Sequence, residues 1–172
     1  GFFDFSGVGY HGKLHVRNCD FSANGKRAEN DVNDEHVFVV NGAGAVDTLL
    51  ENIVCRSDQS ANLIGAFSVT IKEAFASEPP EPRNHLYVIR NCKMPYVQLN
   101  WARSKHLCLE NCEIGQLELR DAQLGKLEIK NTKFDRLDLS RTVAAEYAID
   151  ASGEIIDTDS NYDKATGRAR EK

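Results

Sequence analysis

The sequence is poor in several features that identify common protein classes. Its 172 residues include four prolines, one methionine and one tryptophan. No apolar run approaches the roughly 20 residues that a membrane-spanning helix needs, and no basic start followed by an apolar stretch marks a secretory signal. We therefore expect no membrane association. The first residue is Gly1 rather than methionine, so the question whether an upstream domain or targeting segment has been removed stays open.

Motifs of the large enzyme classes are also missing. The chain has no glycine-rich nucleotide-binding motif, and its five histidines, at positions 11, 15, 36, 85 and 106, form no metalloprotease motif. We predict no catalytic residues, no cofactor and no metal site, and we favour a non-enzymatic function.

Basic charge is not concentrated in any stripe. The net charge is −5 with a pI near 5.5, and acidic and basic residues are interspersed. A protein that binds duplex nucleic acid normally carries a basic patch. Nucleic acid is therefore not the expected partner.

What the sequence does contain is a repeat. Residues 87–146 divide without a gap into three segments of 20 residues, and each segment into four fives. The first and third residues of every five make 24 positions, of which none is charged, whereas 18 of the other 36 are charged. The 24 positions are Tyr87, Ile89, Cys92, Met94, Val97, Leu99, Ala102, Ser104, Leu107, Leu109, Cys112, Ile114, Leu117, Leu119, Ala122, Leu124, Leu127, Ile129, Thr132, Phe134, Leu137, Leu139, Thr142 and Ala144.

This period of five predicts a coil with corners. A helix would repeat apolar residues at three and four, and a long strand would simply alternate. Four short strands with a corner after each close one coil, and stacked coils pair residue n with residue n+20 in parallel. The predicted fold class is all-β: a parallel β-helix, or solenoid, of about 20 residues per coil, with six to seven coils, projecting loops and capped ends.

The repeat resembles that of the pentapeptide-repeat family. The fives AQLGK at 122–126 and LDLSR at 137–141 keep the central leucine of that family. Leucine also replaces the family's usual small first residue at several places, for example at Leu107 and Leu127. The resemblance implies a right-handed four-sided β-helix. It also implies an alternative function, since some members mimic DNA and bind topoisomerases.

The repeat also suggests the domain organisation. We assign residues 1–150 to one β-helix domain and residues 151–172 to a C-terminal cap and polar tail. Irregular copies of the motif occur at 14–21, 37–41, 48–55 and 67–72. The polar segment 22–36 and the proline-rich segment 76–84 are expected to project as loops.

Polar residues recur at the same spacing. Asn91, Asn111 and Asn131 are 20 residues apart, and stacked asparagines can hydrogen-bond one another at a corner. We interpret them as an asparagine ladder, with an asparagine-lined binding stripe as the alternative. The columns that begin at Arg90 and Lys93 alternate in charge, which stabilises neighbouring coils and argues against a DNA-mimicking acidic face.

Glu118 and Asp138 form a pair of stacked carboxylates. They lie one coil apart at outward positions, in register with Gln98. Paired carboxylates support acid–base chemistry, so a carbohydrate-acting β-helix of the lyase or glycosidase kind is the alternative function. No supporting arginine or histidine is expected nearby, and Glu118→Lys is expected to change stability by about 0.5 kcal/mol or less.

The five cysteines point to a reducing environment. An odd number disfavours a full disulfide framework, and no paired CxxC motif predicts a zinc site. Cys92 and Cys112 take inward positions one coil apart, as small core residues or, if the geometry allows, as a disulfide. We expect free thiols and a cytoplasmic location.

The expected binding site lies in the first regular coil. It consists of aromatic and basic residues at outward positions, Tyr96, Trp101, Arg103 and His106, beside the segment 76–84. Exposed aromatic residues next to basic ones often anchor interfaces, and packing under that loop is the alternative. The predicted function is a non-catalytic binding or scaffold protein that presents a rigid face to another macromolecule, a protein first and a glycan second.

Overall fold

The computed structural model describes residues 3–4, 13–20, 36–39, 47–55, 60–62 and 86–170, which form strands and no helix. The strands are β1 (Phe3–Asp4), β2 (Lys13–Asp20), β3 (His36–Val39), β4 (Asp47–Val54), β5 (Ser60–Asn62), β6 (Leu86–Arg90), β7 (Lys93–Gln98), β8 (Arg103–Glu110), β9 (Glu113–Glu118), β10 (Gln123–Asp138), β11 (Val143–Ile156), β12 (Tyr162–Asp163) and β13 (Arg168–Ala169). A helix long and apolar enough to cross a membrane is absent from this part of the chain.

Strands β1 to β11 stack in parallel as successive turns of a solenoid. One column runs β2, β4, β6, β8 and β10, and the other runs β1, β3, β5, β7, β9 and β10. The long strands β10 and β11 pair along both columns. The result is about four turns of about 20 residues, which confirms the predicted all-β parallel solenoid. The expected number of six to seven coils included the motif copy at 67–72, which lies outside the described residues. The segments 22–35 and 76–84, which were expected to project as loops, also lie outside them.

The register of the stack is the predicted one. Tyr87 pairs with Leu107, Leu107 pairs with Leu127 in the next turn, and Leu127 pairs with Tyr147 in the turn after that. All 24 positions predicted to point inward are buried. Each fully buried leucine contributes about 1.5–3 kcal/mol relative to an exposed one. The core is therefore a continuous apolar column that only stacking can bury.

Asparagine occupies the same corner in each of the three regular coils of 87–146. Asn91, Asn111 and Asn131, here called the asparagine corner, have φ angles of 53°, 54° and 44°. This left-handed conformation is unfavourable for most residues but common for asparagine. The side-chain amide of Asn131 donates to Asn111 Oδ1 at 2.8 Å, and that of Asn111 donates to Asn91 Oδ1 at 3.3 Å. Asn52 and Asn18 are joined in the same way at 2.7 Å.

A second left-handed corner follows ten residues later. Trp101, Asp121 and Arg141, here called the tryptophan corner, have φ angles of 61°, 56° and 56°. The N–H of Trp101 donates to the carbonyl of Arg120 in the next coil at 2.8 Å. Asp121 and Arg141 form a two-point ion pair at 2.6 and 2.7 Å.

The parallel register has no paired residues at Pro95 and Gly115, or at Lys105 and Gly125. For description we divide each coil into four sides at these two places and at the two left-handed corners. In the middle coil the first side is 112–114, the second 116–120, the third 122–124 and the fourth 126–130, and each side includes the residues 20 positions before and after.

Five outward residues of 87–146 are buried, although the repeat assigns them to the surface. They are Asn100, Arg103, Cys108, Glu118 and Asp138. Burial of a polar or charged group is unfavourable unless it is hydrogen-bonded or paired. These positions therefore indicate where the surface of the solenoid carries built polar structure rather than solvated side chains.

The C-terminal segment covers the last coil. Strand β11 runs to Ile156, past the domain boundary expected at residue 150, and β12 and β13 form an antiparallel hairpin. Tyr162 is buried, with its ring 5.1 Å from that of Tyr147. Asn161 accepts a hydrogen bond from the Tyr147 hydroxyl at 2.7 Å and exchanges two with the backbone of Ala144. Residues of the segment 157–170 therefore pack against the last coil through Tyr162 and Asn161.

Candidate functional site

Glu118 is the centre of a polar network on the second side. It is only 7% exposed. Its Oε2 accepts a hydrogen bond from Asn100 Nδ2 at 3.1 Å, and its Oε1 accepts from Gln116 Nε2 at 2.9 Å. Arg120 Nη2 lies 3.2 Å from the same Oε1. Both carboxylate oxygens are therefore occupied by donors from within the protein.

Asp138 lies one coil further along the same side. It is 3% exposed, and its Oδ1 accepts from the N–H and the hydroxyl of Ser140 at 3.0 and 2.6 Å. Its Oδ2 accepts from Arg120 Nε at 2.9 Å. Burial alone would raise the pKa of Asp138, but the bonds from Ser140 and Arg120 outweigh burial and hold that pKa below its usual value. Asp138 is therefore ionised at neutral pH.

Arg120 joins the two carboxylates, which corrects the expectation that no arginine supports them. It bonds to Glu118 and to Asp138 and keeps 40% of its side chain exposed. The premise that Glu118 is a solvated surface residue is also wrong, because it is buried and both of its carboxylate oxygens accept hydrogen bonds. We call Asn100, Gln116, Glu118, Arg120 and Asp138 the second-side cluster.

Tyr96 adjoins this cluster. It pairs with Gln116 in the next coil and is partly buried. Burial and the neighbouring Glu118 raise the pKa of Tyr96 to about 12, so the hydroxyl stays protonated at neutral pH. The second side thus offers a phenol and the outer edges of two guanidinium groups, since Arg136 is also 41% exposed on its side chain.

The cluster is better suited to binding than to acid–base catalysis. A general acid needs a carboxyl whose pKa is raised towards neutrality, whereas that of Asp138 is lowered. Glu118 already accepts three hydrogen bonds and would have to release them to accept a substrate proton. The exposed donors of Arg120, by contrast, can bind carboxylate or carbonyl groups directly.

An open groove of about 520 Å³ runs beside the bend at Pro95 and Gly115. A Cβ atom at Gly115 would lie 2.4 Å from the carbonyl oxygen of Pro95, so only glycine permits this close stacking of the two coils. The groove is lined by Cys55, Lys93, Met94, Pro95, Glu113, Ile114, Gly115, Gln116, Lys133, Phe134, Asp135 and Arg136. It adjoins the second side through Gln116 and Arg136.

The four residues of the expected binding site have different surroundings. Tyr96 belongs with the second-side cluster, and Trp101, 37% exposed, lies at the tryptophan corner. Arg103 is 4% exposed, and its Nη1 donates to the carbonyls of Ala102 and Asp121. Burial lowers the pKa of Arg103, with Asp121 acting in the opposite direction. Of the four residues of the expected binding site, Tyr96 and Trp101 are therefore the two that lie on or beside the second side.

His106, the fourth member, lies on the fourth side with two other reactive groups. Its Nε2 is 3.3 Å from Glu128 Oε2, and Cys108 pairs with Glu128 across the coils. One ligand atom from each of these three residues lies within 4.8 Å of the other two. The sequence contains one indication of this cluster: its repeat places residues 106, 108 and 128 at outward positions on two paired strands.

The cysteines are all thiols. Cys19, Cys55, Cys92, Cys108 and Cys112 are free. Cys92 and Cys112 lie in the core on adjacent coils, and a hydrogen bond between them together with burial raises the pKa of Cys92. They fill the apolar core as small residues, the first of the two interpretations offered by the repeat.

No protein-family model matches the chain, and comparisons with curated proteins and with solved structures give no match either. The geometry of the site is therefore the basis for inferring its function.

Proposed function

We propose that this protein is a non-catalytic binding module that presents the second side of its solenoid, together with the tryptophan corner, to a partner protein. The observation that carries the proposal is Trp101. It is the single tryptophan of the chain, it is 37% exposed, and it holds a left-handed conformation.

Trp101 is poorly placed for stability. A left-handed conformation costs most side chains about 1–2 kcal/mol, and bulky residues adopt it rarely. Asparagine occupies the equivalent conformation at Asn91, Asn111 and Asn131. A strained, exposed aromatic residue, in a chain whose other left-handed non-glycine positions hold asparagine, aspartate or arginine among the described residues, points to a role outside the fold. Tryptophan is also among the residues that most often dominate binding energy in interfaces.

The second side supplies the rest of such a surface. Its floor is rigid, because Asn100, Glu118, Arg120 and Asp138 hold one another through hydrogen bonds across three coils. A rigid surface loses little conformational entropy on binding. The exposed edge of Arg120 suits planar, two-point recognition of a carboxylate or a backbone carbonyl.

The chemistry favours a protein over a nucleic acid. The floor of this side carries buried carboxylates at Glu118 and Asp138 beside its arginines, and the whole chain has a net charge of −5. Phosphate backbones require a surplus of positive charge. A mixed surface of two aromatic residues, two arginines and several amides resembles the composition of protein interfaces.

The test replaces the tryptophan without damaging the corner. Trp101→Asn keeps the left-handed backbone, and Arg141→Asn makes the same change at the same corner two coils away. Peptides selected from a displayed random library on the wild-type protein should bind Trp101→Asn at least tenfold more weakly and Arg141→Asn unchanged. Equal binding of the wild type and Trp101→Asn would place the binding surface elsewhere.

A carbohydrate-acting enzyme is the second candidate, favoured by Arg120, which bonds to both stacked carboxylates, and by the adjoining groove. The test is release of reducing ends from a panel of neutral and uronate-containing polysaccharides. Cleavage that is lost in Glu118→Gln and Asp138→Asn but kept in the exposed Glu113→Gln would favour this candidate. A wild-type protein that cleaves none of the panel would reject it.

Three finer assignments belong with the proposal. The four-sided coil supports the resemblance to pentapeptide-repeat proteins. The preference of parallel crossovers for one hand supports a right-handed coil. Five free thiols support a reducing compartment such as the cytoplasm.

A further inference from the structure

The fourth side carries a cluster that the proposed binding function does not use. Strand β8 places His106 and Cys108 two residues apart, on the outward face, and strand β10 places Glu128 directly beside Cys108. Cys108 is 8% exposed, and the side chain of Glu128 is 14% exposed. Three different donor types, a nitrogen, a sulfur and a carboxylate, thus converge, with 31% of the His106 side chain exposed.

We propose that His106, Cys108 and Glu128 form a binding site for one divalent transition-metal ion of the zinc class. Their ligand atoms lie within 4.8 Å of one another, and His106 Nε2 and Glu128 Oε2 are already 3.3 Å apart. Zinc binds sulfur at about 2.3 Å and nitrogen or oxygen at about 2.0–2.2 Å. A small rotation of the side chains therefore brings all three atoms onto one ion.

The nitrogen of His106 supports a ligand at this position. Its Nε2 is shielded from solvent and makes no hydrogen bond with the described residues, although Glu128 lies close to it. A buried nitrogen that makes no hydrogen bond is unfavourable. A metal ion held between the imidazole and the carboxylate satisfies both groups.

The donor set selects the class of ion. Thiolate and imidazole ligands favour zinc and related transition metals, whereas calcium and magnesium prefer oxygen. Three protein ligands leave a fourth position of a tetrahedral ion for water or for a partner's side chain. The same residues are less suited to nucleophilic catalysis, since the thiol is almost fully buried and burial, with Glu128, raises the pKa of Cys108.

Two lysines hold the carboxylate and compete with the ion. Lys126 Nζ and Lys130 Nζ each lie 3.2 Å from an oxygen of Glu128, and Lys126 is also bonded to Glu146 at 2.9 Å. Both lysines therefore hold the Glu128 carboxylate in ion pairs that a bound cation would have to replace. Removing a lysine should then strengthen metal binding, while removing a ligand should weaken it.

The experiment titrates cobalt(II) into the reduced, metal-free full chain and follows light absorption. A cobalt–thiolate complex gives a charge-transfer band, and added zinc should remove that band at one equivalent. Cys108→Ser should abolish the band, and Glu128→Gln should weaken binding at least tenfold. Cys19→Ser, which alters a partly exposed cysteine outside the cluster, should leave the band unchanged.

Lys130→Met provides the opposite arm, with an expected gain of about tenfold in cobalt affinity because one competing charge is removed. Zinc should also raise the melting temperature of the wild type and not that of Cys108→Ser. A wild-type protein without the charge-transfer band overturns the proposal. So does a band that persists in Cys108→Ser, since it would then arise from another thiol.

Discussion

The two left-handed corners of the coil solve the same backbone problem in different ways. At the asparagine corner, Asn91, Asn111 and Asn131 are identical residues that favour the conformation and hydrogen-bond along the column. At the tryptophan corner the column is mixed: Asp121 and Asp159 favour the conformation, whereas Trp101 and Arg141 do not. Here the preceding Asn100 does the anchoring, since its Oδ1 accepts from the N–H of Arg120 at 2.8 Å.

The comparison shows that one corner is built for stability and the other is free to carry chemistry. Stacked identical residues leave no room for variation, because each side chain is both donor and acceptor for its neighbours. An anchor placed one residue earlier, at Asn100, releases the corner position itself. Trp101, which follows Asn100 directly, can then occupy it without disrupting the stack.

Glu118→Lys should break the anchor of the tryptophan corner, and it should destabilise the protein more than any change at either corner itself. It places a positive charge beside Arg120 and removes the acceptor of Asn100 and Gln116, so we expect a loss of about 3–5 kcal/mol in the free energy of unfolding. Urea unfolding followed by circular dichroism measures it. Asp135→Lys, at an exposed position outside the columns of alternating charge, is the control and should cost about 0.5 kcal/mol or less. Equal effects of the two changes would refute the anchoring role of Glu118.

Asn111→Ala should weaken the asparagine corner by an intermediate amount. The change removes one hydrogen bond to Asn91 and one from Asn131 and leaves alanine in a left-handed conformation, for a loss of about 2 kcal/mol. Thermal or urea unfolding measures this loss. Glu113→Ala in the same coil serves as the control, with a loss within about 0.5 kcal/mol. If Asn111→Ala matches that control, the column of asparagines adds nothing to stability.

Trp101→Asn should have the smallest effect and the opposite sign. Asparagine suits the left-handed corner, so we expect a gain of up to about 1 kcal/mol in the free energy of unfolding. Arg141→Asn gains in the same way but loses its exposed ion pair with Asp121, so its net change should be near zero. A clear loss of stability in Trp101→Asn would mean that Trp101 serves the fold, and the proposed interface would lose its main support.

The sequence by itself determined the solenoid. A period of five with uncharged inward positions predicts stacked coils with those positions in the core, and all 24 of them are buried in the structure. The spacing of 20 also placed Asn91, Asn111 and Asn131 in one column, because parallel coils bring residue n beside residue n+20. Both inferences depend only on local geometry and on the hydrophobic effect.

Only the tertiary structure decided which outward residues are buried and what they touch. The repeat assigns Glu118 and Arg103 to outward, surface positions, yet both are buried. The repeat specifies the side of a coil on which a residue lies. It does not specify how long side chains from neighbouring corners fold over that side, which depends on rotamers and on charges from three coils at once. For that reason the bridge of Arg120 and the convergence of His106, Cys108 and Glu128 appeared only in three dimensions.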